Sequence, residues 1–375
     1  MADFTVDVSG LAGFELDLQD LGTNFTTNAS RLLPWVTLPT GTTGLMATLA
    51  PSIEKFKTAI SSAHQKDLAA IGALGENLST ASTKYQATDG NSANQLTAAA
   101  VTGLGDTGAS GSSSAEGVKR FSGLQLPSLS DIQEEQYATR QVVTTGITSI
   151  SKYDEALSQA IGIKPAADYL VPLEADWEAL QAIGKRIGLL GINDYVTSEN
   201  LTSGTRWLQS LWSGDAAQAL GTSANSLGQS IAGRSIDLET ISKIVENGGA
   251  VLDRQVFNQT MGLVGGLAQP MTFLNFTLPL GDWAQLINGP MRESIRSEIT
   301  SAVDTLKKSA ESRKGALNTM LERISTALDY TPGHSVLAYN ASEFEVPDKV
   351  VIDVGTLRYG YGNNIWWENS IASAG

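Results

Sequence analysis

Residues Arg206 to Ile231, RWLQSLWSGDAAQALGTSANSLGQSI, restrict the fold more than any other stretch. Trp207, Leu208, Leu211 and Trp212 recur at i, i+1, i+4 and i+5, the pattern of a helix with a buried ridge. Ser213-Gly214 then frees the backbone for a sharp reversal, because glycine carries no Cβ. Asp215 supplies a helix-start acid. The next helix sets Ala217, Leu220, Ala224, Leu227 and Ile231 along one narrow seam, as in a coiled coil. Two helices joined by so tight a reversal run antiparallel, and the rest of the chain must cover the faces they leave apolar.

Composition narrows what such a chain does. Lys and Arg number 25 against 39 Asp and Glu, a net charge of −14, which argues against nucleic acid as a partner and against docking on anionic lipid. With no cysteine, neither a disulfide nor a thiolate metal site can form. The two histidines, His64 and His334, are far apart in sequence, so no histidine-rich metal site is expected, and no cofactor. His64 reads as a partly exposed group on a helix and His334 as part of a turn. The N-terminus, MADFTVDVSGLAGFELDLQDL, has acids where a secretory signal needs a basic segment and an apolar core. The sequence offers no convincing paired carboxylates, Ser/His/Asp set or phosphate loop. Gly262 to Leu267, GLVGGL, lacks the lysine and hydroxyl residue of a phosphate loop. The chain reads as a non-enzyme.

The chain in order gives four regions. Residues 1–90 form a helical hairpin: Leu11, Phe14, Leu18, Leu21, Phe25 and Leu32 stripe the first helix, which stops before Pro34. After a proline- and glycine-bearing reversal, Phe56, Ile60, Ile71, Leu74, Leu78 and Tyr85 stripe the second, with Gly90 as its C-cap. Residues 91–127 are rich in Gly, Ser and Ala and read as a flexible linker. Residues 128–330 read as a second helical domain. Its helices cover about Ser128 to Ile161 (Asp131, Glu134 and Glu135 in the first turn), Leu173 to Leu190, the stretch around Trp212, Ser235 to Leu267 and Pro290 to Leu328. Gly191 and SENLTSG are expected to break the helix before Trp212. Residues 255–281 hold no charge but include Asn258, Gln259, Pro270 and Pro279, which favours a buried interface or packed loop over membrane insertion. Residues 331–375 form a tail with a β-prone segment, where Tyr359, Tyr361, Trp366 and Trp367 are candidate interaction residues. The fold class is therefore all-α: an elongated bundle of long antiparallel helical hairpins with a short irregular, β-prone C-terminal tail.

Two short motifs stand in telling places. Trp212-Ser213-Gly214 is a W-x-G at a helix–helix junction, followed by the small residues DAAQAL. Tyr85-Gln-Ala-Thr-Asp89 is a Y-x-x-x-D at the end of the second predicted helix. The i and i+4 spacing would set ring and carboxylate side by side on one face there. The same pattern recurs at Tyr195/Glu199 and Tyr339/Glu343, away from such a position. Taken together these elements resemble the W-x-G superfamily of type VII (ESX) secretion substrates, in a fused arrangement of a PE-like hairpin followed by a PPE-like domain. The resemblance implies a secreted or cell-surface protein exported without a Sec signal peptide. It also implies a composite export signal made of Trp212, Gly214, Tyr85 and Asp89, brought together at one end of the bundle.

The expected partners are then the type VII secretion machinery and either further copies of the chain, as a homo-oligomer, or a helical partner. Nucleic acid is not expected, and membrane contact is the less favoured reading. The function expected is non-catalytic, by protein–protein interaction or self-assembly. The alternatives are the N-terminal delivery or channel half of a longer secreted toxin, and a pore-forming or membrane-interacting protein.

Overall fold

The computed structural model describes residues 5–101, 117–133 and 138–350, with backbone alone for 89–101. Among these the chain is all-α apart from one small hairpin. Among the described residues five long helices carry the molecule: α1 (Val8–Leu32), α2 (Ala50–Val101), α6 (Ala179–Gln209), α7 (Asp215–Ala268) and α9 (Glu293–Leu328). Three short helices, α3 (Thr139–Ile150), α4 (Asp154–Ile161) and α5 (Pro165–Tyr169), precede α6. Strands β1 (Pro270–Phe273) and β2 (Phe276–Pro279) follow α7, then α8 (Leu280–Gln285) and α9 (Glu293–Leu328). At 1.5 Å per residue α7, with 54 residues, is about 80 Å long, so the body is built along one helix.

The α1–α2 hairpin lies on the α6–α7 hairpin, and their shared face is one apolar core. Leu11, Phe14, Leu18 and Leu21 of α1 meet Ile71, Leu74 and Leu78 of α2, Leu201 and Leu208 of α6, and Leu220, Ala224 and Ile231 of α7. A second core begins where α1 turns into α2 (Leu32, Val36, Met46, Ile53, Phe56) and runs through α3 to α9. The stripe on α1 and the seam on α7 are thus half of a four-helix packing, which is why neither needs a broad apolar face.

Several boundaries differ from the expectations above, each for a physical reason. Helix α2 does not stop at Gly90 but continues to Val101. Helix α6 is unbroken through Gly191 and SENLTSG. Its glycines are contact points rather than breaks: a Cβ at Gly184 would fall 2.4 Å from the Glu246 amide nitrogen, and one at Gly204 would fall 2.4 Å from the Phe14 ring. Helix α7 likewise runs through Gly233 without a second start. Close approach of helices, not termination, explains Gly184, Gly191 and Gly204, whereas nothing lies within 4 Å of a Cβ at Gly233.

Residues 117–133 correct two expectations at once. Residues up to 127 are expected as linker and those from 128 as helix, but they run as irregular chain along α1 and α6 and turn once at Ser122-Gly123, where the Leu124 amide donates to the Phe121 carbonyl at 3.3 Å. The Lys119 amide donates to Ser9 O at 3.1 Å, and the Pro127 carbonyl accepts from Asn24 and Asn28 at 3.1 and 3.0 Å. Asp131 is not a helix-start acid; it takes Arg186 Nε at 2.8 Å. Helix α3 instead starts at Thr139, where Glu178 Oε1 accepts the amides of Ala138 and Thr139 at 2.8 Å each. A cap supplied from the start of another helix leaves no local signal in the sequence.

The charge-free run 255–281 is neither loop nor buried interface throughout. After α7 ends, Pro270–Phe273 pairs antiparallel with Phe276–Pro279 around Leu274 and Asn275, both at positive φ (51° and 68°). That two-residue turn suits strand twist, but leucine is an unusual choice for it, so the usual Asn-Gly signal is missing. Met271, Phe273 and Leu278 pack inward, while Leu274 and Phe276 are 61% and 69% exposed. No described helix is long and apolar enough to cross a membrane. In the tail, the Asn258 side chain donates to the Asp348 carbonyl and accepts from the Val350 amide, each at 2.8 Å; residues 351–354 of the β-prone segment lie outside the described residues.

Candidate functional site

The W-x-G turn closes on the end of the molecule where α1 begins. Leu208 and Trp212 are buried with the α6 ridge, and the chain reverses through Gly214 at φ 104° and ψ 179°, a backbone shape that L side chains rarely adopt. Asp215 stands in the first turn of α7, where a carboxylate complements the helix dipole.

The N-terminal residues hold this turn from outside. Val6 bridges Trp212 in antiparallel fashion, Ser213 N donates to Thr5 O at 2.9 Å, and Asp7 N donates to Leu211 O at 2.9 Å. Asp7 then caps α1, its Oδ1 accepting from the amides of Ser9 and Gly10. Lys119 beside it, with Ser9, holds its carboxyl down at about 2. Residues 5–7 carry one local signal in the sequence, Asp7 as an N-cap acid ahead of the stripe that begins at Leu11.

Trp212 and Tyr85 meet. Trp212 is 3% exposed, and its Nε1 donates to Tyr85 Oη at 3.4 Å. The rings are edge-on, with centroids 6.4 Å apart and planes at 78°. An aromatic pair with one polar contact of this kind joins apolar packing to a directional bond. Beside it α2 and α7 leave a groove of about 460 Å³, lined by Leu74, Ala81 and Tyr85 on one side and Ala216, Ala219 and Leu220 on the other. Tyr85 is not at the end of its helix, however, since α2 continues to Val101. Asp89 lies on α2, but its side chain is outside the described residues, as are Tyr359, Tyr361, Trp366 and Trp367 in full.

A second cluster was missed. His64, expected to be partly exposed, is 7% exposed, and its Nε2 lies within hydrogen-bond distance of Asp194 Oδ1 at 3.0 Å. Arg234 of α7 spans Asp194 (Nε to Oδ2, 2.6 Å) and Asp67 of α2 (Nη2 to Oδ2, 2.5 Å). Burial pushes the Asp67 carboxyl up, though the Arg234 charge works against it. Arg234 itself is held firmly charged: burial disfavours its charge, and Asp194 and Asp67 more than compensate. Tyr330 donates to Asp237 Oδ2 at 2.8 Å one turn along, and burial first, then Asp237, drives its hydroxyl pKa up. Four ionisable groups form a charge tie between the hairpins, and His64 at its edge also lines a groove of about 640 Å³ with Phe25, Glu54, Lys57 and Leu68. The sequence signal was the i, i+3 pair His64/Asp67 on one helix face.

The described residues contain no group of three or more His, Asp or Glu side chains that could hold a metal ion. Compared with protein-family models, curated proteins and solved structures, the chain matches none.

Proposed function

We propose that this chain is a non-catalytic substrate of a type VII secretion system, exported through a composite signal and acting outside the cytoplasm by protein–protein interaction or self-assembly. The observation that carries the reading is the contact between Trp212 and Tyr85. It brings Trp212 of the W-x-G turn against Tyr85 of the other hairpin, and a receptor that reads the two motifs together would engage this junction. Gly214 gives the turn its shape, and Asp89 follows Tyr85 one turn along α2. The test is export in a host carrying a type VII system. Trp212→Ala, Tyr85→Ala and Asp89→Ala are each compared with the parent for protein in the medium against protein in the cell. Secretion at the parental level by all three, with normal folding, would remove the proposal.

A second reading is favoured by one observation: the exposed tip of the β-hairpin, Leu274 and Phe276. Two apolar side chains on a rigid turn, in a run without charge, suit shallow insertion at a lipid surface. Sedimentation with neutral vesicles separates the readings. Leu274→Asp with Phe276→Asp should abolish pelleting if the hairpin inserts, and unchanged pelleting would dismiss this second role.

A further inference from the structure

Residues 117–133 carry no helix or strand of their own, and α1 and α6 hold them through side chains. Asn28 of α1 donates Nδ2 to the Pro127 carbonyl at 3.0 Å and accepts the Leu129 amide on Oδ1 at 3.1 Å. Asn200 of α6 repeats the arrangement on a single residue. Its Oδ1 accepts the Gln125 amide at 2.9 Å, and its Nδ2 donates to the Gln125 carbonyl at 2.6 Å. An asparagine amide offers a donor and an acceptor side by side, so it clamps an extended backbone whatever side chains that backbone bears.

Side-chain selection is added at one end. Arg120 lies between Asp17 (Nε to Oδ1, 2.6 Å) and Asp20 (Nη2 to Oδ2, 2.5 Å). The Phe121 amide reaches Asp17 Oδ2 at 2.8 Å, and its ring stands 5.9 Å from the Trp207 ring. The surface of α1 is cut back to admit the backbone: a Cβ on Gly13 would fall 1.6 Å from the Lys119 carbonyl oxygen.

The receiving groups are braced from behind. Asn28 Nδ2 also lies 3.0 Å from Asn193 Oδ1, and Asn193 in turn donates to the Phe25 carbonyl at 3.1 Å. Asp17, Asn28 and Asn200 are 1%, 1% and 4% exposed, so each is a fixed polar group roofed by the strap. The strap is the opposite. Its Leu126 is 40% exposed and the side chain of Arg120 is 42% exposed, and it is held mainly by polar contacts. A segment bound in this way to a pre-formed surface belongs to the low-stability end of a protein.

We infer that α1 and α6 form a peptide-binding groove, with residues 119–129 as its resident intramolecular ligand. The groove accepts in trans a peptide of the pattern Arg-Phe-x-x-x-Gln-x-Pro, turned once after the phenylalanine as the resident segment is at Ser122-Gly123. Main-chain contacts from Asn28 and Asn200 supply affinity, and Asp17, Asp20 and Trp207 supply selection for a basic–aromatic pair. Tethering gives the resident segment a high effective concentration, so a competing peptide gains access only where the strap is weakened. The inference does not depend on the export reading.

The test uses the full chain and a fluorescent peptide of residues 117–131. Against the variant carrying Arg120→Ala and Phe121→Ala, the peptide should bind saturably, and at least tenfold more tightly than to the parent chain. A peptide with Arg120→Ala should bind at least tenfold more weakly. A folded double variant that ignores the peptide, or that binds both peptides alike, overturns the inference. Amide hydrogen exchange on the parent chain gives an independent reading should the double variant fail to fold. The amides of Phe121, Gln125 and Leu129 should exchange at least tenfold faster than the core amides of α1 and α6, and exchange in step with them would equally overturn it.

Discussion

Trp212 donates its indole N–H to the phenol oxygen of Tyr85 across 3.4 Å, joining residues 127 apart in sequence and on different hairpins. The bond is long and its apolar surroundings are good, so ring burial rather than the hydrogen bond dominates the contact. Trp212→Ala should therefore destabilise the fold by about 3–5 kcal/mol, and Tyr85→Phe by only about 0.5–1.5 kcal/mol. Urea denaturation of both variants checks the ratio, and a Tyr85→Phe loss as large as that of Trp212→Ala would reverse the assignment.

The tie between hairpins predicts an asymmetry. Arg234→Met leaves Asp194 and Asp67 buried without their cation and should cost about 3–5 kcal/mol. Adding Asp194→Asn and Asp67→Asn to the same chain should recover most of that loss. If the triple variant is no more stable than Arg234→Met, the penalty comes from packing and not from stranded charge.

Two carboxyls set opposite pH limbs. Asp253 is pushed up to about 7 by burial and by the neighbouring Glu178 charge, above the ordinary 3.8. The protonated form is thus favoured in the fold, and its contribution is full below about pH 4 and lost as pH rises through about 7. Asp7, held at about 2, acts the other way: its contribution is present above about pH 4 and lost as pH falls toward 2. Melting curves across pH should show Asp253→Asn flattening the decline between pH 4 and 7, and Asp7→Asn flattening only the acid limb. No change from either substitution would refute the corresponding assignment.

What was legible in the sequence followed periodicity. The stripe Leu11–Phe14–Leu18–Leu21–Phe25 is buried, and so are Ala217, Leu220, Ala224 and Ile231 of the seam, with Leu227 only partly so, because a 3-4 repeat can hide only one face of a helix. The all-α class follows from such stripes. Glycine misled the boundaries: at Gly191, Gly204 and Gly90 it was taken as a break or a cap, and α6 and α2 run through. Whether a helical glycine ends a helix or lets another approach depends on what lies opposite, which one chain position does not encode. Contacts made at long range were also invisible. Asp194 has no local feature tying it to His64, and Glu178 caps a helix whose start lies 39 residues earlier. Trp212 and Tyr85 do meet, but Tyr85 lies well inside α2, which continues to Val101, so the expected meeting of two helix tips is not what brings them together.

The most direct measurement of the central claim is a double-mutant cycle read out as export. Trp212→Phe, Tyr85→Ala and the double variant are compared with the parent for the secreted fraction, each first shown to fold cooperatively. If one receptor reads a joint corner, either substitution alone should cut secretion at least tenfold, and the double variant should be no worse than the poorer single one. Losses that multiply in the double variant, or parental secretion from either single one, would contradict a composite signal.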